Sequence, residues 1–331
     1  MSVSKAEARA ATRWRAFAVL VLSIEASLLA DACASQPATP DAGRPVPQLC
    51  VPGSAHASDQ FAAVHGYITY ADATEILAVD PHHPANRISM GLSHGLSPIA
   101  WSRDGSQLLL RELTNAGSAL CVMHADGSQK QLTKDGGIGE SSFSPDGTKV
   151  AFARLDQGLY VVDANGGTPR LIARSYIAWW LESAAWSPDG SRIAYTVYEE
   201  GGPEGYRYDI WTVNPDGTNP RPMVGGCGGE RCGGRALVWS PDGSRLAFDM
   251  SPFQCSTACS EGAIGIVDAD GSGLHRINDD GLWPSWSPDG SRIAFTRGGE
   301  LFTMASDGTN VTQVEGLYVV DYSGLAWNPV R

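Results

Sequence analysis

The stretch Trp186-Ser-Pro-Asp-Gly-Ser-Arg-Ile193 decides the fold, because close copies of it recur along the chain of 331 residues. The copies begin, in chain order, at Trp101, Phe143, Trp186, Trp239 and Trp286, and a truncated one begins at Trp327. Successive copies are 42, 43, 53, 47 and 41 residues apart. A period of this length is typical of a repeated unit of four β-strands that stacks beside its neighbours.

The Ser-Pro-Asp-Gly segment within each copy has the chemistry of a tight turn. Proline presets the φ angle of the second turn position, aspartate can bond its own backbone, and glycine accepts the left-handed conformation that follows. The segment after the turn is rich in β-formers, as in Ile193-Ala-Tyr-Thr196 and Ile293-Ala-Phe-Thr296. Its apolar residues fall on both faces, which is expected for sheets stacked between neighbouring sheets.

A second unit repeats in phase with the first, as a short apolar strand that ends in a turn. Its six copies begin at Ile76, Leu120, Leu159, Ile210, Ile264 and Leu301. The N-terminal strands lack a preceding tryptophan strand, and the C-terminal strand Leu325-Ala-Trp327 has nothing after it, so the two ends complete one blade. We therefore predict an all-β, six-bladed β-propeller of four-stranded antiparallel blades over residues 61–331, its ring closed by N- and C-terminal strands.

These repeats resemble the WD40-like (PD40) repeats of the TolB-type propeller family over about residues 61–331. The resemblance implies a six-bladed propeller in the cell envelope. Members of that family carry an α/β domain before the propeller, whereas the corresponding space in this chain is predicted to hold an export signal and a linker. A partnership with the Pal protein is therefore not implied.

The N-terminus predicts export from the cytoplasm, to the periplasm or the outer cell surface. Four basic residues precede an apolar run at 16–30, and Ala30-Asp31-Ala32 offers a cleavage site before Cys33. Residues 1–33 are therefore a predicted signal peptide, with three alternatives: lipidation of Cys33 as in a bacterial lipoprotein, simple secretion, or an uncleaved anchor. Residues 34–60 are rich in proline and small polar residues, so they predict a flexible linker.

Charge and cysteine content limit the partners and cofactors. The net charge of −12 disfavours nucleic acid, and we expect a monomer that meets a membrane only through an N-terminal lipid or anchor. Cys227, Cys232, Cys255 and Cys259 are predicted to form disulfides, a zinc site being the alternative; we expect no metal and no cofactor. Cys121 is either a buried thiol or a partner of Cys50.

Propeller geometry predicts where a binding site lies. The Ser-Pro-Asp-Gly turns and the Asp-Gly turns lie on one face, here called the turn face, and the more variable loops lie on the other, the top face. The residues that enter each tryptophan strand should ring the upper mouth of a central channel: Glu140, Trp180, Glu182, Arg235, Trp283 and Tyr322. Charges mixed with aromatic rings suit recognition of a polar ligand or a peptide.

No catalytic residue is predicted. Gly91-Leu-Ser93-His-Gly95 matches the pattern G-x-S-x-G, but it falls in a propeller loop rather than on the strand-to-helix turn that a hydrolase needs. The leading hypothesis is a non-catalytic envelope propeller that binds a protein or peptide through its top face. The alternative is a lyase or hydrolase acting on polysaccharide, with its site at the channel mouth, because propellers host both kinds of protein.

Overall fold

The computed structural model describes residues 57–92, 95–114, 117–134, 136–154, 157–174, 179–202, 205–225, 236–250, 262–319 and 324–330. All of them belong to the unit Leu49–Arg331. These residues form one short helix and 24 strands, which assemble into four sheets of four strands and one sheet of eight. Among the described residues, no helix is both long enough and apolar enough to cross a membrane.

Sheet I joins the two ends of the described chain. Its strand order is β24-β1-β2-β3, with β1 at Ile68–Ala71, β2 at Glu75–Val79, β3 at Arg87–Leu92 and β24 at Ala326–Trp327. Strand β24 pairs antiparallel with β1, Ile68 opposite Trp327 and Thr69 opposite Ala326. The predicted closure by N- and C-terminal strands is therefore present in this sheet.

Helix α1 precedes sheet I and covers residues Ala57–Ala63, so it crosses the predicted boundary between linker and propeller at residue 60. Phe61 is buried, and its ring meets that of Trp101 edge to face with centroids 5.0 Å apart. The helix is held by this aromatic contact and by Val64, which is fully buried in the same cluster.

Sheet II and sheets IV and V are simple antiparallel meanders. Sheet II contains β4 Leu96–Trp101, β5 Gln107–Thr114, β6 Gly117–His124 and β7 Gln129–Gln131. Sheet IV contains β16 Val238–Trp239, β17 Arg245–Met250, β18 Ala263–Asp268 and β19 His275–Asn278. Sheet V contains β20 Leu282–Trp286, β21 Arg292–Arg297, β22 Glu300–Ala305 and β23 Thr312–Tyr318. In each, the first strand in the chain is at one edge and the last is at the other.

Sheet III has eight strands, in the order β11-β10-β9-β8-β12-β13-β14-β15. Its strands fall into two groups of four, which are called IIIa and IIIb. Group IIIa comprises β8 Ile138–Phe143, β9 Lys149–Arg154, β10 Gly158–Asp163 and β11 Arg170–Arg174. Group IIIb comprises β12 Trp179–Trp186, β13 Ile193–Gly202, β14 Gly205–Val213 and β15 Arg221–Val224. Each group is antiparallel, and the two meet through one parallel pair, Glu140 opposite Ser183. Sequence analysis predicted separate four-stranded sheets here; the first strands of two neighbouring groups instead approach closely enough to pair once.

Apolar side chains cover both faces of the sheets, as predicted. In β5, Leu108 and Leu110 lie in a cluster with Ile76 of sheet I, whereas Leu109 between them lies in a cluster with Phe152 of group IIIa. Successive residues of a strand point to opposite faces, so a run of three leucines is buried only if sheets lie on both sides. Full burial of each leucine contributes roughly 2 kcal/mol.

Candidate binding site in the central cavity

A cavity of about 400 Å³ lies among the first strands of the four-stranded groups, and the last strand of the chain completes its wall. The six copies of the repeat contribute the same position to one layer of this wall, namely Trp101, Phe143, Trp186, Trp239, Trp286 and Trp327. This layer of the wall is therefore entirely aromatic. Aromatic walls with few polar groups are typical of sites that bind a small molecule or a peptide side chain.

The tryptophans of this layer also connect neighbouring groups. The Nε1–H of Trp101 donates to Thr69 Oγ1 of sheet I at 3.0 Å, and that of Trp239 donates to the Ala185 carbonyl of group IIIb at 3.2 Å. Trp286 Nε1–H donates in the same way to the Val238 carbonyl of sheet IV at 3.2 Å. In these three copies the indole ring packs in the wall while its N–H links two groups, whereas Trp186 Nε1–H donates to the Gly190 carbonyl of its own turn at 3.3 Å.

One end of the cavity lies at the turn face. The Ser-Pro-Asp-Gly turn and the Asp-Gly turn of a group touch directly, since Ala125 N–H donates to Ser106 O and Ala269 N–H donates to Ser244 O, both at 2.9 Å. Both kinds of turn therefore share a face, as predicted. The second residue after each aromatic position lines this end of the cavity: Arg103, Pro145, Pro188, Pro241, Pro288 and Pro329.

The other end of the cavity is lined by residues that precede the aromatic positions by three: Glu140, Ala236, Trp283 and Gly324. A strand rises about 3.3 Å per residue, so these residues lie about 10 Å from the aromatic layer, towards the top face. Glu140 and Trp283, two members of the predicted ring, are therefore brought together in one wall.

Glu140 is held in place by an ion pair. Arg111 Nη1 donates to its Oε1 at 2.8 Å, and the two side chains are 11 % and 10 % exposed respectively. Gly324 lies beside this carboxylate: a Cβ atom there would be 3.8 Å from Glu140 Oε2, an ordinary contact, but only 2.7 Å from the Pro98 carbonyl oxygen. The result is a positioned carboxylate at the top end of the cavity, suited to accept a hydrogen bond from an N–H or O–H donor of a ligand.

Trp283 forms a rigid part of the same wall. Its φ angle is +58°, and its side chain is 8 % exposed and lies in a core cluster with Leu325 and Trp327. A non-glycine residue in this conformation carries a strain of about 1–3 kcal/mol, which persists where the surroundings fix the side chain. Trp283 was predicted as a recognition residue, and in the structure its side chain is also part of the hydrophobic core.

Of the four remaining residues of the predicted ring, two lie in a described strand and two lie outside the described residues. Trp180 and Glu182 lie in strand β12, where Trp180 is opposite Tyr198 of β13. Arg235 and Tyr322 lie outside the described residues, as do the predicted lipidation site Cys33 and the disulfide candidates Cys227, Cys232, Cys255 and Cys259.

Other predicted features fall away from the cavity. His82 and His83 lie in the turn between β2 and β3, where His83 Nδ1 is 3.0 Å from Asp80 Oδ2, and His94 lies outside the described residues. Within the ranges that the structure describes, no group of three or more histidine, cysteine, aspartate or glutamate residues has the arrangement of a metal site. Cys121 is fully buried; its pairing with Cys50 stays a prediction, since Cys50 lies outside the described residues.

Arg103 is the lining residue that sequence analysis overlooked. The signal was present, because Trp101-Ser-Arg-Asp-Gly has arginine where four other copies of the turn have proline and the truncated copy has Pro329.

An all-β arrangement of four-stranded sheets around a lined cavity defines the class of this protein as a β-propeller. No protein-family model matches the chain. The protein "Tol-Pal system protein TolB" of Anaeromyxobacter dehalogenans (strain 2CP-C) is 31 % identical over 186 residues, which cover 54 % of this chain and 37 % of that relative. The match thus spans well under half the length of this relative.

Solved structures support the same fold. TolB from Acinetobacter baumannii has a TM-score of 0.60 at 18 % identity, covering 80 % of this chain and 66 % of that one. Putative TolB from Agrobacterium tumefaciens has a TM-score of 0.56 at 22 % identity, covering 77 % and 90 %. The chain is therefore a β-propeller, similar in fold to these two TolB structures.

Proposed function

We propose that this protein is a non-catalytic propeller of the cell envelope that binds a protein or peptide partner through the top end of its cavity. The observation that carries the proposal is the Glu140 carboxylate, fixed by Arg111 at 2.8 Å beside an aromatic wall. A positioned acceptor next to aromatic surface suits a polar or basic group of a partner. The relatives named as Tol-Pal system proteins support a role in the envelope.

We propose six blades, with groups IIIa and IIIb as two of them. Each group has the antiparallel order of a complete four-stranded sheet, and a single residue pair joins them. Side-chain contacts link each neighbouring pair around the ring, including Trp186 N–H to Ser142 Oγ at 2.7 Å between the two groups and Trp327 N–H to Ser285 Oγ at 3.0 Å between sheets I and V.

The proposal places the propeller outside the cytoplasm as a monomer. The signal at 1–33, the linker at 34–60 and lipidation of Cys33 stay predictions from sequence, as does the formation of disulfides by Cys227, Cys232, Cys255 and Cys259. The alternative of a polysaccharide-acting lyase or hydrolase also stays a prediction, and no described feature favours it specifically.

Partner recovery from envelope extract tests the proposal. The variant Glu140→Gln combined with Glu182→Gln replaces the carboxylate that lines the top end, and a second one that the sequence predicts beside it, by amides of the same shape. Its matched control, Asp126→Asn combined with Asp270→Asn, removes two exposed carboxylates on the turn face. We expect wild type and control to recover the same envelope protein, and the top-end variant to recover at least five-fold less by quantitative mass spectrometry.

The two double variants must first match wild type in thermal midpoint, so that a loss of partner is not a loss of fold. Trp283 is left unchanged because its side chain belongs to the core. Equal recovery by all three proteins would contradict binding through the top end. If binding of the recovered protein to the purified propeller is unaffected by the top-end variant, the proposal is wrong as well.

A further inference from the structure

Among the described residues, the turn-face end of the cavity carries one cationic side chain, which lies among prolines. Arg103 occupies the position that proline holds in the other five copies, it lines the cavity, and its side chain is exposed. The cavity therefore has two chemically different ends: a positioned carboxylate towards the top face and a guanidinium at the turn face.

The guanidinium reaches across the mouth of the cavity. Its Nη1 donates to the carbonyl oxygen of Pro188 at 3.0 Å, a residue 85 positions away in group IIIb. Arg103 precedes β5 of sheet II, so this bond joins sheet II to group IIIb, and group IIIa lies between the two in chain order. This contact holds a charged group over the opening rather than directing it to the outer surface.

The charge of Arg103 has no carboxylate partner within the described ranges. The adjacent Asp104 accepts hydrogen bonds from Ser102 Oγ at 2.7 Å and Ser106 Oγ at 2.8 Å, so its oxygens are engaged inside the turn. A backbone carbonyl is a neutral acceptor, and a carboxylate forms a stronger, charge-assisted bond with the same donor. An incoming carboxylate can therefore compete with Pro188.

The surroundings select the kind of carboxylate. Behind Arg103 the wall consists of proline rings and then the aromatic layer of Trp101, Trp186 and their equivalents. The acidic balance of the whole chain does not attract anions from a distance, so recognition here depends on direct contact. The site therefore suits a ligand that has an apolar or aromatic group attached to a carboxylate. The apolar group enters the cavity, and the carboxylate remains at the mouth beside Arg103.

We propose that the turn-face end of the cavity binds the C-terminal carboxylate of a peptide that ends in an apolar or aromatic residue, with Arg103 as the recognition residue. The peptide's last side chain contacts the aromatic layer, and its carboxylate accepts hydrogen bonds from the guanidinium. This site is at the opposite end from Glu140, so it stands or falls independently of the function proposed above.

Fluorescence anisotropy with two matched probes tests this site. The probes are fluorescein-labelled Gly-Ser-Leu-Ala-Phe with a free C-terminal carboxylate and the same peptide as a carboxamide. We expect wild type to bind the carboxylate at least ten-fold more tightly than the carboxamide. Equal binding of the two probes, or binding of neither, would overturn the proposal.

Three variants assign the effect to the guanidinium. Arg103→Pro restores the residue of the other copies, so it is compatible with the turn, and Arg103→Gln serves if it fails to fold. Either variant should remove the preference for the carboxylate probe, so that the Kd values of the two probes differ by less than two-fold. The control Lys149→Ala removes a cation from the same face. Lys149 already pairs with Asp163 at 2.8 Å, so this variant should keep the full preference for the carboxylate probe.

The same assay separates a peptide ligand from a small carboxylate. N-acetylphenylalanine offers the same carboxylate and ring without the preceding residues, and we expect it to compete at least ten-fold more weakly than the unlabelled peptide. Competition at equal concentration would overturn the assignment to a peptide. The double variant Glu140→Gln with Glu182→Gln should bind both probes as wild type does, which distinguishes this site from the top end.

Discussion

Asp242 illustrates what one repeated residue contributes to this molecule. Its Oδ1 accepts hydrogen bonds from Ser240 Oγ at 2.6 Å and from the Ser244 backbone N–H at 3.0 Å. These bonds, chiefly the one from the Ser240 hydroxyl, lower the pKa of the Asp242 carboxyl to about 2. The same Ser240 hydroxyl oxygen accepts from the Arg245 N–H at 3.0 Å, so the first residue of the turn connects its carboxylate with the next strand.

We expect Ser240→Ala to lower the free energy of unfolding by about 2 kcal/mol at neutral pH, because it removes both bonds of a buried hydroxyl. Ser306→Ala is the control, since the Ser306 hydroxyl forms no hydrogen bond with a described residue, and its effect should stay within about 0.5 kcal/mol. Urea unfolding measures both. Equal midpoints for the two variants would contradict the role given to Ser240.

The lowered pKa of Asp242 also fixes the sign of a pH dependence. A carboxyl whose pKa is lower in the folded state stabilises the fold above its unfolded pKa of about 3.9 and loses that stabilisation as the pH falls towards 2. The wild type should therefore lose stability over this interval. Ser240→Ala should lose less, because its Asp242 is closer to the unfolded value.

At the scale of elements, strand β24 is short but well connected. Trp327 Nε1–H donates to the Gly66 carbonyl at 2.7 Å, across 261 residues of sequence, and Asn328 N–H donates to the Tyr67 carbonyl at 2.8 Å. Two residues of strand pairing are thus supplemented by two bonds to the residues directly before β1. The closure depends on this small number of contacts between the chain ends.

We expect Trp327→Phe to lower the free energy of unfolding by about 1–2 kcal/mol. The phenylalanine ring fills most of the space of the buried indole, but the hydrogen bond to Gly66 is lost. Phe143 at the equivalent position of β8 indicates that a phenylalanine ring fits the wall. Trp327→Ala should cost about 3–5 kcal/mol, since it also creates a cavity. Chemical unfolding compares the three proteins, and a Phe variant as stable as wild type would contradict the importance of the indole N–H.

At the scale of the whole molecule, the described residues include a single cysteine. This residue, Cys121, is fully buried in β6, and each of the other six cysteines lies outside the described residues. We predict that Cys121 forms a disulfide with Cys50. A bond of that span closes a loop of about 70 residues and stabilises by roughly 4 kcal/mol in the loop-entropy model.

Peptide mapping under non-reducing conditions checks this pairing. We expect one peptide containing Cys50 to be linked to one containing Cys121, and the link to disappear on reduction. Linkage of Cys121 to a cysteine of the 227–259 region would contradict it. Cys121→Ala should lower the thermal midpoint, whereas Cys33→Ser should leave it unchanged, because no disulfide is predicted for Cys33.

The repeat determined much of this protein without any structure. A turn motif, a strand motif and their common period depend on residues close in sequence, so the strands, the shared turn face and the closure by Trp327 were all predictable. The contacts that define the cavity were not, because Arg111 and Glu140 are 29 residues apart, and Arg103 and Pro188 are 85 apart. Only the curvature of the assembled ring decides which side chains of different sheets meet. For that reason a conspicuous arginine in one turn acquired a role only when its guanidinium was seen at the mouth of the cavity.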